Sequence, residues 1–264
     1  MKNFVFILMI SLNLGEVEAS NLTVFDAGEG LMARILTNNS AVLVDTGSLL
    51  KVRENLDKLE KTQDITLTDL IITHLHPDHA SGIFEVLSRY PQINVFDNCM
   101  PQIDVTDGDL IRWTNELLST IEKRECINQK SKLIFDDVEI QVLWPSGKFE
   151  NKNHNYYSLV LKVTSPSKSV LMMADTNKRV EEWLMANKLD DITNIEVLVV
   201  GHHGSDNASS LKFINTVKPE IAIVPVNKDN VRGYPSNDTL TRLKNSNAKI
   251  WITGDHGDFT LNLQ

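Results

Sequence analysis

A chain of 264 residues with 42% hydrophobic and 23% charged residues has ordinary globular composition, which excludes a disordered or fibrous protein. Its formal net charge of −9 argues against a broad electrostatic hold on a nucleic-acid backbone, while leaving room for a local basic groove or a metal pair that attracts phosphate. With no Gly/Ser- or Pro-rich linker and no clear internal repeat, residues 20–264 are expected to form a single α/β domain.

In chain order, residues 1–19 read first as a removable signal peptide. Lys2 supplies the positive start, "FVFILMISLNLG" is a short apolar stretch, and Val17 and Ala19 are the small residues of a cleavage site. The stretch is short for a membrane span, and an uncleaved N-terminal anchor is the alternative. A secreted or periplasmic location is the expectation, with no stable membrane partner. In an oxidising compartment Cys99 and Cys126 could pair; two free buried thiols are the other outcome.

Eleven apolar or alternating runs then read as strands: "LTVFDAG", "ARILT", "AVLVD", "DLIIT", "INVFD", "EIQVLW", "YYSLVLKV", "SVLMMAD", "IEVLVVG", "EIAIVPV" and "KIWIT". Amphipathic segments near Leu49 to Lys61, Gly82 to Tyr90, Asp109 to Arg124, Asn177 to Leu189, Ser209 to Val217 and Ser236 to Asn245 read as helices. Strand-rich stretches punctuated by helices imply helices covering sheet faces, and a two-sheet sandwich with helices outside fits this order.

The polar residues of interest fall where strands end. Asp45 closes "AVLVD", His74 follows "DLIIT", Asp175 ends "SVLMMAD" and His202 follows "IEVLVVG". Strand ends feeding short loops let a rigid scaffold aim several side chains at one point. Of the chain's seven histidines, His74, His76 and His79 lie within six residues that also hold Asp78. Buried without compensation, such a cluster would be costly. His74 and His76, at i and i+2, can project to one side. Pro77 stops a regular continuation, so Asp78 and His79 can turn toward a second nearby position. One loop thereby offers ligands to two metals, and imidazoles with carboxylates suit Zn²⁺, with Mn²⁺ or Fe²⁺ as alternatives.

This His-x-His-x-Asp-His loop resembles the signature of the metallo-β-lactamase superfamily. "LVDTG" at Leu43 to Gly47, "MMAD" ending at Asp175 and "VVGHHGS" at Val199 to Ser205 resemble its other motifs, in the same order. "FDAGEG", "HPDHASG", "SLVL", "GHHGS", the proline at 235 and "TGDHGDFTL" together are similar to stand-alone relatives of the metallo-β-lactamase-like domain of the bacterial DNA-uptake protein ComEC. Secreted phosphorylcholine esterases are similar around "GHHGS". The ComEC type carries an Asn-x-Tyr-Gly-His-Pro segment, and here "NVRGYP" has Tyr234 where that histidine would stand.

The resemblance implies a four-layer αββα sandwich holding two divalent ions. It gives His74 and His76 to the first metal, Asp78 and His79 to the second, Asp175 to both, and His202 to the completion of the second site. Asp45 would orient a ligand by hydrogen bonding. His154, four residues before Ser158, stands at the superfamily's offset for a third ligand of the first metal, with a solvated loop histidine as the alternative. His203 is expected in substrate contact or proton transfer, with a structural role as the alternative.

The expected reaction is hydrolysis by a water that the metal pair activates, with Asp78 positioning it or accepting its proton. A phosphodiester is the leading substrate class, from a small diester to nucleic acid. A lactone or thioester hydrolase is the enzymatic alternative, iron-dependent oxidation a further one, and a non-catalytic secreted metal-binding protein the alternative outside enzymology. Antibiotic hydrolysis is not expected, since true metallo-β-lactamases generally carry Cys or Ser where Asp175 stands. The 26 residues between Asp175 and His202 leave no room for the domain that RNA-processing members insert there.

Overall fold

The computed structural model describes residues 19–62, 66–100, 108–146 and 153–264. The expected signal peptide at 1–19 lies, except for Ala19, outside the described residues.

The first part of the chain forms β1 (Asn21–Val24), β2 (Ala33–Leu36), β3 (Ala41–Val44), β4 (Asp69–Ile72), β5 (Asn94–Asp97) and β6 (Arg124–Cys126). The second forms β7 (Lys132–Phe135), β8 (Val138–Trp144), β9 (Val160–Thr164), β10 (Ser169–Met172), β11 (Val197–Val199), β12 (Ile221–Val224) and β13 (Lys249–Ile252), and β14 (Phe259–Asn262) returns to the first sheet. The two seven-stranded sheets run β14-β1-β2-β3-β4-β5-β6 and β13-β12-β11-β10-β9-β8-β7. In the first sheet β3 to β6 pair in parallel, and in the second β10 to β13 do. Each sheet therefore has a parallel half, and the residues of interest follow strands of those two halves.

Alternation along the strands builds the layers. Val42 and Val44 enter the core between the sheets while Ala41 and Leu43 face the opposite way; likewise Val197 and Val199 point inward and Leu198 outward. On the outer face of the first sheet lie α1 (Val52–Thr62), α2 (Pro77–Ala80), α3 (Ile83–Arg89) and α4 (Asp109–Ser119), with Leu56, Ile83, Val86 and Leu118 buried there. Among α5 (Lys178–Asn187), α6 (Leu189–Ile192), α7 (Leu211–Val217), α8 (Asn237–Asn245) and α9 (Thr253–His256), the helices α5, α7 and α8 bury Leu184, Phe213 and Leu243 against the second sheet. The result is the expected four-layer αββα sandwich. Strands covered on both faces read as near-continuous apolar runs, which explains why "AVLV" and "VLV" were legible as strands.

Three strands were not expected. The helix anticipated from Asp109 to Arg124 stops at Ser119, and Arg124 instead opens β6 beside β5. The Arg124 guanidinium forks onto Asp97, with Nε and Nη2 at 3.0 and 2.8 Å from its two carboxylate oxygens, and Cys126 is joined to Cys99 by a disulfide. β7 and β14 are edge or hairpin strands with alternating, partly exposed side chains, a weaker pattern than a buried run. "YYSLVLKV" forms a strand only from Val160; the residues before it turn and bring His154 toward the site.

Candidate metal centre

Every donor suggested by the sequence, His154 apart, lies at the carboxyl end of a parallel strand, the edge at which open α/β sheets place ligands. Asp45 follows β3, His74 to His79 follow β4, Asp175 follows β10, and His202 and His203 follow β11. The chain leaves these strands through left-handed backbone at non-glycine residues, with φ of 55° at Asp45, 44° at Ala174, 48° at His202 and 53° at His203. Such conformations cost of order 1–3 kcal/mol each, so the surrounding packing must hold them in place. Their concentration at one edge marks that edge as functional.

Local chemistry shapes the histidine loop. Pro77 takes the first position of α2, where its missing N–H is harmless, and the His76 carbonyl accepts from the His79 and Ala80 N–H groups, both at 2.9 Å. Thr46, of "LVDTG", fastens the loop from outside: its N–H and hydroxyl donate to the His79 carbonyl at 2.7 and 2.9 Å, and its Oγ1 accepts from Gly82 N at 3.0 Å. The β1–β2 connection lies against the same loop at Gly30, where φ is 105° and a Cβ would fall 1.6 Å from the Asp78 carbonyl oxygen. Only glycine allows that approach.

Two groups of donor atoms converge there, each within 4.8 Å: Asp78, His79, Asp175 and His203, and His74, His76 and Asp175. Asp175 belongs to both. Its Oδ1 lies 3.0 Å from His79 Nε2 and 3.1 Å from His203 Nε2, and its Oδ2 lies 3.8 Å from His74 Nε2. The buried imidazoles of His74, His79 and His203 share one arrangement, with Nδ1 anchored and Nε2 turned inward. His79 Nδ1 meets Asp45 Oδ2 at 2.6 Å, His203 Nδ1 donates to the Pro225 carbonyl at 2.8 Å, and His74 Nδ1 lies 3.2 Å from Thr73 Oγ1. Asp45 also accepts from the Thr73 N–H and hydroxyl, both at 2.7 Å. Anchoring one nitrogen so that the other faces a cation is how metal-ligating histidines are held.

The electrostatics point the same way. Burial opposes a charge on His79, but the carboxylates of Asp175 and Asp45 outweigh it and hold the imidazole well above its usual range. Burial likewise opposes a charge on His203, yet Asp175 and Asp78 raise it to about 9. Asp175 would be pushed up by burial, but His203 and His79 hold it well below the usual carboxylate range. His74 is driven well down, chiefly by burial and then by the neighbouring charge on His79. Its Nε2 is buried with no hydrogen-bond partner. Two carboxylates matched by protons on flanking imidazoles, beside a neutral imidazole with an unused nitrogen, form a donor set that fits a pair of divalent cations.

The "GHHGS" histidines exchange places relative to the sequence expectation. His203, not His202, joins the group with Asp78, His79 and Asp175, because left-handed backbone at both residues turns the second side chain inward. His202 stays at the rim: its Nε2 is 3.8 Å from Asp175 Oδ2 and 3.3 Å from Asn155 Nδ2, its Nδ1 is 3.3 Å from Asn207 Oδ1, and Tyr234 packs edge-on against it. His154 is buried with its ring 5.6 Å from that of His76, outside both donor groups. Thr73 and Arg232 were not singled out from the sequence. Thr73 carries no signal beyond preceding His74. Arg232, 3.4 Å from both Asp78 Oδ2 and Glu29 Oε1, had one: it stands where the ComEC-type segment carries tyrosine.

Two facing mixed sheets with helices outside, and a His-x-His-x-Asp-His loop at their shared edge, define a metallo-hydrolase scaffold. The chain matches the family model of the metallo-beta-lactamase superfamily over residues 28–94. It is 28% identical over 233 residues to Competence protein ComA of Neisseria gonorrhoeae, a match covering 88% of this chain and 30% of that protein. Over 73 residues, 28% of this chain and 26% of the relative, it is 38% identical to Hydroxyacylglutathione hydrolase of Tolumonas auensis. The fold superposes on the metallo-beta-lactamase fold protein YhfI from Bacillus subtilis with a TM-score of 0.61 at 14% identity, covering 92% of this chain and 99% of that one. The chain spans less than a third of the length of the curated relatives that match most of it.

Proposed function

We propose that this chain is a metal-dependent phosphodiesterase with a dinuclear centre, zinc being the metal that suits the donors best. The observation that carries the reading is the pair of donor groups sharing Asp175. His74 and His76 would hold one ion and Asp78, His79 and His203 the other, with Asp175 common to both and His154 beside the first. When bound, such a pair lowers the pKa of water and neutralises charge on both the attacking and leaving oxygens of an in-line displacement.

The chain's own residues would do the rest. Asp45 and Thr73 hold the His79 and His74 rings in register. Asp78 is pushed up by burial but held low by His203 and His79. That suits it to orient a water as hydrogen-bond acceptor. His202, at the rim with Asn155 and Tyr234, takes the substrate-contact role expected of His203. A phosphodiester, either small or nucleic acid, is favoured because a metal pair suits in-line displacement at phosphorus and because the "HPDHASG" and "GHHGS" motifs resemble those of the ComEC-type domain. The match to a protein named hydroxyacylglutathione hydrolase makes hydrolysis of an acyl group from a thiol the second reading. The Cys99–Cys126 disulfide supports an exported protein, because such bonds persist in oxidising compartments.

The test is hydrolysis of bis(p-nitrophenyl) phosphate with Zn²⁺ or Mn²⁺ added, beside a His76→Ala control. Metal-dependent turnover that the control abolishes is the expected result. A protein that holds two metals yet leaves this diester untouched overturns the phosphodiester reading and directs attention to thioesters and lactones.

A further inference from the structure

Arg232 is the cationic side chain that the fold presents directly to the donor groups, and its setting is built. It lies between β12 and α8 in the segment "NVRGYPS", whose two ends are fixed. Asn230 Oδ1 accepts from the Tyr234 N–H at 2.8 Å, closing the turn that carries Arg232 at its tip. The Ser236 N–H donates to the Gly204 carbonyl at 2.9 Å, and Thr239 Oγ1 donates to the Ser205 carbonyl at 2.9 Å. Gly204 has φ of 79°, and a Cβ there would lie 2.5 Å from Pro235 Cβ, so the turn packs directly on the backbone of the histidine pair. The loop that aims Arg232 and the loop that aims His203 are thus fastened to each other.

The contacts of Arg232 itself are few and long. Nη1 lies 3.4 Å from Asp78 Oδ2 and Nε lies 3.4 Å from Glu29 Oε1, while among the described residues Nη2 has no partner. The side chain remains 47% exposed. A guanidinium committed to a structural ion pair forms a short bidentate fork, as Arg124 does with Asp97 at 3.0 and 2.8 Å. Arg232 makes no such fork. One of its two carboxylates, Asp78, is also a donor in the candidate metal-binding quartet, so a cation there competes with Arg232 for the same side chain. An anion at the centre would then find a planar fork with unused N–H groups, already desolvated on one side, at the edge of the site.

We propose that Arg232 is the anion clamp of the substrate site: its guanidinium grips the non-bridging oxygens of a phosphate held at the donor groups, and so selects an anionic diester over a neutral ester. Glu29 holds the side chain over the site between turnovers. The inference deepens the phosphodiesterase reading in naming the diester as the selected substrate, while its core, anion binding by Arg232, can be measured without turnover.

The experiment uses the full chain loaded with zinc, its metal content measured, and inorganic phosphate titrated by calorimetry into wild type, Arg232→Gln and Arg232→Lys. KM and kcat are then measured for bis(p-nitrophenyl) phosphate and for the neutral ester p-nitrophenyl acetate. Expected is phosphate binding about tenfold to a hundredfold weaker in Arg232→Gln, the scale of a lost charge-assisted hydrogen bond. Arg232→Lys should recover part of it, and metal content and melting temperature should not change. For the diester the loss should appear in KM, with the neutral ester unaffected. Undiminished phosphate affinity in Arg232→Gln, no phosphate binding by wild type, or loss of zinc with the substitution would each overturn the clamp. Weakened phosphate binding in a protein inert toward the diester would instead remove the phosphodiesterase reading and leave the clamp standing.

Discussion

The two sheets deliver their side chains to the shared edge in different ways. The first sheet supplies its donors from one uninterrupted loop, His74 to His79, fastened by Thr46 and by the Gly30 contact. The second supplies Asp175 and His203 from separate strands through left-handed backbone, with Arg232 arriving on a third loop. A compact motif is local chemistry, whereas the second arm exists only once its strands are packed. The first arm should therefore tolerate damage to its supports better than the second.

Asp175→Ala should have the largest effect, because it removes the carboxylate common to both groups. The expected outcome is loss of both ions, measured as metal per chain by plasma mass spectrometry. Retention of two ions would dissolve the idea of a shared ligand. Next, His203→Ala and His202→Ala separate neighbours in sequence that differ in role. The first should empty the Asp78 and His79 group, while the second should keep its metal content and change KM. If His202→Ala loses the ion instead, the left-handed turn is oriented differently from the description above.

Removing the disulfide with Cys99→Ser and Cys126→Ser together tests the β6 edge of the first sheet, at the opposite end of the strand order from β14. A loop of this separation, 27 residues, corresponds to about 3.5 kcal/mol of stability on chain-entropy grounds. Chemical denaturation should show that loss while metal content stays the same.

The smallest effect is on pH dependence. His203 has a folded pKa of about 9, raised from 6.5. Its protonated form therefore adds stability to the metal-free protein that is complete below 6.5 and is lost as pH rises through about 9. Melting temperature of the metal-free protein should fall across that window, and zinc binding at pH 7.5 should release protons, detectable by calorimetry in buffers of different ionisation enthalpy. Zinc uptake without proton release would place the ion away from His203.

How much of this was legible follows the same division. The αββα order, the buried strands and the histidine loop could be read directly, because apolar runs and ligands packed into six residues are local signals. Arg124 to Cys126 looked like the tail of a helix, because what makes it a strand is pairing with β5 and the fork onto Asp97, neither of which is local. For a related reason, His203 stands in the donor group where His202 was expected. Position after a strand suggests that the first residue points inward, but two successive left-handed residues rotate the second into the site instead. The reach of Arg232 carries no such local signal: "NVRGYP" departs from the ComEC type at Tyr234 as well, and only the packed turn shows that the charge two residues earlier reaches Asp78.

The most direct test is anomalous diffraction at the zinc edge from crystals of the metal-loaded protein. The account requires two peaks, one beside His74 and His76 and one beside His79 and His203, with Asp175 reaching both. A single peak, or a second one held by His202 with His203 turned away, would contradict it.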